Sequence, residues 1–149
     1  MARLAAGEPI PIAALEAQMT RFVVDPGAVL HLAANHTEPP AKHELLAPTL
    51  LRSQVLSMLH EAVVRGEVSA DEARERLGRV NAMKIRLLGD AVLRRRAWEV
   101  ADRLGWAGTY DAEYVALTQL QADALITLDE ALAGSVEGIV ATASIDALG

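Results

Sequence analysis

Apolar runs of strand length alternate along this chain with segments whose apolar positions return every three or four residues, the spacing of a helix with one buried face. Residues 21–25, Arg-Phe-Val-Val-Asp, make a short β-rich run, and 27–35 reads as a short helix burying Val29, Leu30 and Leu32. Paired prolines at 39 and 40 exclude helix from the loop that follows. Leu45, Leu46 and Ala47 form a second strand. Pro48 then suits the first turn of a helix to about Arg65, ended by Gly66, with Leu51, Val55, Met58, Leu59 and Ala62 as its inner stripe. Ser69 and Glu72 have capping-box spacing, so a third helix starts there and reaches about Ala82. A strand over Ile85, Leu87 and Leu88 leads to Asp90, which caps a helix ending at Leu104 before Gly105. Asp111 caps a helix over 112–121 with Tyr114, Val115 and Leu117 inward. Residues 124–128 form an apolar strand ending in Asp129, and 139–142 form the last strand. Strands separated by helices predict an α/β fold: a three-layer α/β/α sandwich around a central parallel sheet.

Residues 1–18 stand apart as an N-terminal arm or extension, because Gly7, Pro9 and Pro11 precede the first strand and only 12–18 suits a short helix. Residues 19–149 are expected to form one domain, and translation could begin at Met19 as well as at Met1. The length of 149 residues suits a single core. At 52% hydrophobic and 23% charged residues the chain lies outside the range of disordered sequences. Without cysteine, disulfides, thiolate zinc sites and cysteine nucleophiles are excluded together, which suits a reducing compartment. No run approaches the roughly 18 uninterrupted apolar residues of a membrane span, and no basic stretch precedes an apolar one as in a signal peptide. The chain therefore reads as cytoplasmic, with no membrane partner. Its net charge of −6 argues against indiscriminate binding to polyanions. That charge is unevenly spread, since residues 74–103 carry nine bases and four acids while 104–149 carry seven acids and no base. The basic middle is either a solvated helix face or a phosphate-contacting surface beside an acidic site.

The acids carry the chemistry. Open parallel sheets build their sites just beyond the carboxyl ends of their strands. Asp25 and Asp129 each end a strand and Asp111 opens a helix, so three carboxylates can meet there. Taken singly, Asp111 is a helix cap and Asp129 a turn residue. Asp25, behind Phe22, Val23 and Val24, is hard to place on a surface. Oxygen-only clusters suit Mg2+ or Mn2+, which keep several waters and bridge to phosphates, and the matching chemistry is phosphoryl transfer by metal-activated water. Other chemistries find no pattern. His31, His36, His43 and His60 lack zinc spacing, and there is neither a nucleophile elbow nor a Gly-rich phosphate loop. A phosphatase with Asp25 as nucleophile would need a second Asp two residues on, where Gly27 stands. Trp98 and Trp106, at helix-type apolar spacing, read as core or interface residues. Thr127 and Thr109 either orient the site through their hydroxyls or simply suit their local backbone.

Four stretches together resemble the PIN-domain ribonucleases, and within them the VapC-type toxins of bacterial toxin-antitoxin pairs. They are Phe22-Val23-Val24-Asp25, Leu46-Ala47-Pro48-Thr49-Leu50-Leu51, Tyr110-Asp111-Ala112-Glu113-Tyr114-Val115-Ala116-Leu117 and Leu125-Ile126-Thr127-Leu128-Asp129, within a resemblance spanning about residues 20–143. It implies a PIN-like fold and Mg2+- or Mn2+-dependent RNA cleavage, with Asp25, Asp111 and Asp129 at the family's acidic metal positions. It also implies a homodimer held inactive by a VapB-like antitoxin. One position departs: where the family places a Glu on the second helix, this chain has Gln54. Glutamine keeps an acceptor oxygen but loses the charge, so Gln54 is read as an outer-shell residue ahead of a direct ligand; the alternative is help from Glu61, two turns along the same helix. The expected function is a divalent-metal-dependent endoribonuclease toxin in which Arg52, Arg86, Arg94, Arg95 and Arg96 position the RNA backbone. The alternative is a catalytically weakened PIN domain that binds RNA or protein. Charge adds one expectation, that an amphipathic partner peptide places an Arg or Lys in the carboxylate cluster.

Overall fold

The computed structural model describes residues 20–39 and 41–148; the arm expected over 1–18, its helix at 12–18 and Met19 lie outside the described residues. The elements run β1 (Thr20–Val24), α1 (Pro26–Ala34), β2 (His43–Pro48), α2 (Leu51–Val64), α3 (Ala70–Ala82), β3 (Ile85–Leu88), α4 (Ala91–Leu104), α5 (Tyr110–Gln121), β4 (Ala124–Ile126), α6 (Glu130–Ser135) and β5 (Thr142–Ala143), then a 3-10 turn at Ile145–Leu148. The strands are all parallel, in the order β3-β2-β1-β4-β5. The chain steps one way across the sheet from β1 to β3, and then returns through α4 and α5 to the far side of β1. Because such crossovers are right-handed, that reversal places α1, α2 and α3 on one face and α4 and α5 on the other. Accordingly α1 and α2 pack on α3, while α4 packs along α5, which lies over β1, β2 and β4. With both faces covered, Phe22-Val23-Val24, Leu45-Leu46-Ala47 and Ala124-Leu125-Ile126 are buried without alternation. The fold is the three-layer sandwich that the alternation of elements implies.

Helix ends follow their capping residues. The Ser69 hydroxyl accepts from Glu72 N–H at 3.1 Å, Asp90 accepts from Leu93 N–H at 2.8 Å, and Gly105 ends α4 at φ +69°.

Other details differ from the sequence expectation. Pro48 closes β2 in register with Leu88 and does not open α2. The residue before a proline is driven to extended backbone, and Thr49 N–H then donates to the Leu88 carbonyl at 3.1 Å, turning the chain before the helix starts. The inner stripe of α2 is Leu51, Val55 and Leu59 alone; Met58 is exposed and Ala62, like Leu30 on α1, is half-buried. β4 stops at Ile126, because Asp129 caps the short helix α6, which the apolar pattern does not announce. The last strand lies at Thr142–Ala143 and not at 139–142, since the N–H groups of Ile139 and Val140 bond back to the Val136 carbonyl around Gly138 at φ +81°. Trp98 is 67% exposed, because the buried face of α4 is Leu93, Ala97, Val100 and Ala101, and so it is not core. Trp106 packs half-buried against the core.

Candidate active site

The order of strands reverses between β1 and β4, and in open α/β sheets this switch point opens a crevice at the carboxyl ends. Asp25 follows directly on β1 and is 8% exposed. Its Oδ1 accepts from Ala28 N–H at 2.8 Å, capping α1. Asp129 follows β4 and caps α6 in the same way, accepting from Leu132 N–H at 3.1 Å. Each cap occupies Oδ1 and leaves Oδ2 without a part in the cap. Asp111 is different: it lies inside the first turn of α5 and does not cap it. The cap position is Thr109, whose carbonyl accepts from Glu113 N–H at 3.0 Å and whose hydroxyl makes no cap bond. The Asp111 carboxylate is thus outside the capping scheme.

Charge ties the three together. Burial pushes the Asp25 carboxyl above the ordinary carboxylate value, hydrogen bonds from Thr127 and Ala28 pull it back, and the negative charges of Asp111 and Asp129 push it up further. Asp111 is likewise raised by burial and by Asp129. The Thr127 hydroxyl accepts from Asp129 N–H at 3.0 Å and also lies near enough to Asp25 to favour its ionised form. Among the described residues no three His, Cys, Asp or Glu side chains are gathered closely enough to hold a metal ion as they stand. The donor set nevertheless fits a hard divalent cation: it is all oxygen, its negative charges oppose one another, and such a cation keeps several of its own waters to fill the spaces between carboxylates.

Gln54 is half-buried on α2, and its carbonyl oxygen accepts from the Tyr114 hydroxyl at 2.6 Å. Burial foremost, then the charges of Asp25, Glu113 and Asp111, push the Tyr114 hydroxyl far above its usual range, so it stays protonated and donates. One lone pair of the oxygen that would serve a metal is therefore already engaged. Glu61 is exposed and pairs with Ser57 and Arg65 on the surface of α2. Glu113, not singled out in the sequence, is half-buried near Arg94; burial raises its carboxyl and the guanidinium lowers it. Its place two residues after Asp111 was the pointer available.

The five arginines do not form one stripe. Arg86 reaches Glu44 at 3.5 Å, near the start of β2 and away from the carboxylates. Arg94 donates to the Gly89 carbonyl at 3.3 Å, Arg96 to Gln119 at 3.3 Å, and Arg52 and Arg95 are exposed. Successive helix residues are rotated by roughly 100°, so 94–96 fan out. No histidine joins the acids: His31, His36 and His60 are exposed, and His43 packs edge-on to Phe22 at 5.2 Å. Beside Asp111 lies an open cleft of about 790 Å3, walled by Gln54, Thr109, Tyr110 and Asp111 and by the loop from Gly105 to Gly108.

No protein-family model matches the chain, and no curated protein does. Solved structures do. The crystal structure of PAE2754 from Pyrobaculum aerophilum matches with a TM-score of 0.65 at 23% identity, covering 88% of this chain and 95% of that one. A chain of VapBC2 from Rickettsia felis, crystallised bound to a DNA fragment from their promoter, matches with a TM-score of 0.54 at 11% identity, covering 83% and 98%. The fold is that of the PIN domain. No helix of the described residues is long and apolar enough to cross a membrane.

Proposed function

We propose that this chain is a divalent-metal-dependent endoribonuclease, the toxin of a toxin-antitoxin pair, with its active site at Asp25, Asp111 and Asp129. The observation that carries the reading is that three carboxylates share the switch-point rim of the sheet, Asp25 desolvated directly behind a buried strand, and Asp25 and Asp111 both raised by burial and by the charge of Asp129. Bound Mg2+ or Mn2+ would neutralise these acids, polarise the scissile phosphate and supply an attacking water of lowered pKa. The chain's own residues do the positioning. The Ala28 and Leu132 N–H groups fix one oxygen of Asp25 and of Asp129, and the Thr127 hydroxyl accepts from the Asp129 N–H beside Asp25. In this reading Arg94 and the exposed Arg52 and Arg95 would meet the RNA backbone, whereas Arg86 and Arg96 are committed to Glu44 and to Gln119 and Glu99. A VapB-like antitoxin that brings a basic side chain to the acids, and a homodimer, complete the proposal.

One observation favours the second reading, a PIN domain that binds RNA or protein without cutting: the Gln54 oxygen is held by Tyr114 and adds nothing to the negative charge. A single experiment separates the two. Purified protein is incubated with labelled total RNA in Mn2+, in Mg2+ and in chelator, beside Asp25→Asn shown to be folded by circular dichroism. Metal-dependent cleavage that disappears in the variant supports the nuclease. Equal residual cutting by both proteins, or none with any metal, overturns it in favour of the binding module.

A further inference from the structure

We infer that the cleft beside Asp111 is a nucleobase subsite, in which an unpaired base stacks on the Tyr110 ring and is hydrogen-bonded by the Gln54 amide nitrogen. The inference deepens the proposed function and rests on it for the identity of the polymer as RNA.

Three observations lead there. Tyr110 is 66% exposed, an unusual position for a large ring, and among the described residues it stacks on no other ring. It stands on the wall of a cleft kept open by small residues, because the loop beyond α4 passes through Gly105, Ala107 and Gly108. Second, the Gln54 amide has a fixed sense. With its oxygen taken by the Tyr114 hydroxyl at 2.6 Å, its –NH2 group is the end left for the cleft that Gln54 lines. That end is a pure donor, suited to a base carbonyl and unsuited to a cation. Third, Tyr110 immediately precedes Asp111. Both residues line the cleft, so a base stacked on the ring lies beside one of the proposed site's acids. A cleft of about 790 Å3 is ample for one nucleotide.

Stacking tolerates any base, whereas the amide donor favours those with a carbonyl oxygen, uracil being the simplest. The position that departs from the family's acid thereby takes on a different role, recognising the base that lies next to the scissile phosphate. A duplex, whose bases face one another, has no base to offer the ring.

The test uses a fluorescent 2′-O-methyl uridine decamer, which resists cleavage, and an abasic oligomer of equal length and charge. Binding to the full chain is read by anisotropy in chelator and again in Mn2+. The decamer is expected to bind about tenfold more tightly than the abasic oligomer. Tyr110→Ala should lose about tenfold on the decamer and nothing on the abasic oligomer, Tyr110→Phe should remain within about twofold of the parent, and Gln54→Met should weaken the decamer by about fivefold. All variants should keep the parent circular dichroism spectrum. Equal affinity for the two oligomers, a Tyr110→Ala protein that binds like the parent, or no binding of the decamer in either condition overturns the subsite. Because no bond is cut in this assay, its outcome is separate from that of the cleavage test. A chain that cuts RNA but ignores Tyr110 loses the subsite and keeps the nuclease, and a chain that binds bases but never cuts does the reverse.

Discussion

Asp25 has two demands on one carboxyl group: it caps α1 through Oδ1, and it faces two other acids from a desolvated position. The folded chain holds a proton there at pH values where the unfolded chain has already lost it. Ionisation of Asp25 therefore destabilises the fold, an effect absent below the ordinary value of 3.8 and complete above the raised one. Asp25→Asn keeps an acceptor for Ala28 N–H and removes the charge. In chelator at pH 7 it should raise Tm by about 3 °C, or about 1 kcal/mol, and the gain should fade as the pH approaches 4. Thermal melts of both proteins from pH 4 to 8 check the sign and the window. Thr127 acts in the opposite sense. Its hydroxyl receives the Asp129 N–H and lies near enough to Asp25 to favour the ionised form. Thr127→Val should cost about 1 kcal/mol in chemical denaturation, with the parent sheet content retained, because the part-buried Asp129 N–H loses its acceptor.

At the scale of elements, the same site depends on close backbone approach between two loops at the carboxyl end of the sheet. A Cβ on Gly89 would lie 2.5 Å from Thr49 Oγ1, 3.0 Å from its Cγ2 and 3.3 Å from its Cβ, so the Thr49 side chain would have to turn and a tight Cβ contact would remain. Gly89→Ala should cost about 1–3 kcal/mol, and Thr49→Ala in the same chain should recover most of it. Urea unfolding of the two variants measures both. Most elements were legible in the sequence because their punctuation is local: Ser69 and Glu72, Asp90 and Gly105 mark α3 and α4 within a residue or so. What was not legible depends on distant partners. That Pro48 belongs to β2 is set by pairing with Leu88, and α6 exists because Asp129 both ends a strand and caps a turn. The exposure of Trp98 follows from which face of α4 meets α5, which spacing alone does not say. In the site, the three aspartates could be picked out because strand ends and a helix start are visible in a sequence. The bond between Tyr114 and Gln54 could not, since 60 positions separate the partners.

For the molecule as a whole, the reversal of strand order at β1 means that α1, α5 and α6 all begin at one rim of the sheet, each with an Asp at its cap or in its first turn. The proposed cation, held by carboxylates that only the fold brings to one rim, would bind the folded chain and so stabilise the whole domain. At Mn2+ a hundred times its Kd the gain should be about 2.7 kcal/mol, and an Asp25→Asn, Asp129→Asn double variant should show none; thermal shift with and without the metal decides this.

The two capping aspartates have a practical consequence. Asparagine at 25 and 129 retains the oxygen each helix start requires and discards the charge that the proposed chemistry requires, while glutamate does the reverse. On the proposed function, the pair of substitutions should therefore yield an intact but inactive chain, one that a host cell can produce in quantity without the proposed antitoxin and that can hold an uncut RNA long enough to be seen with it.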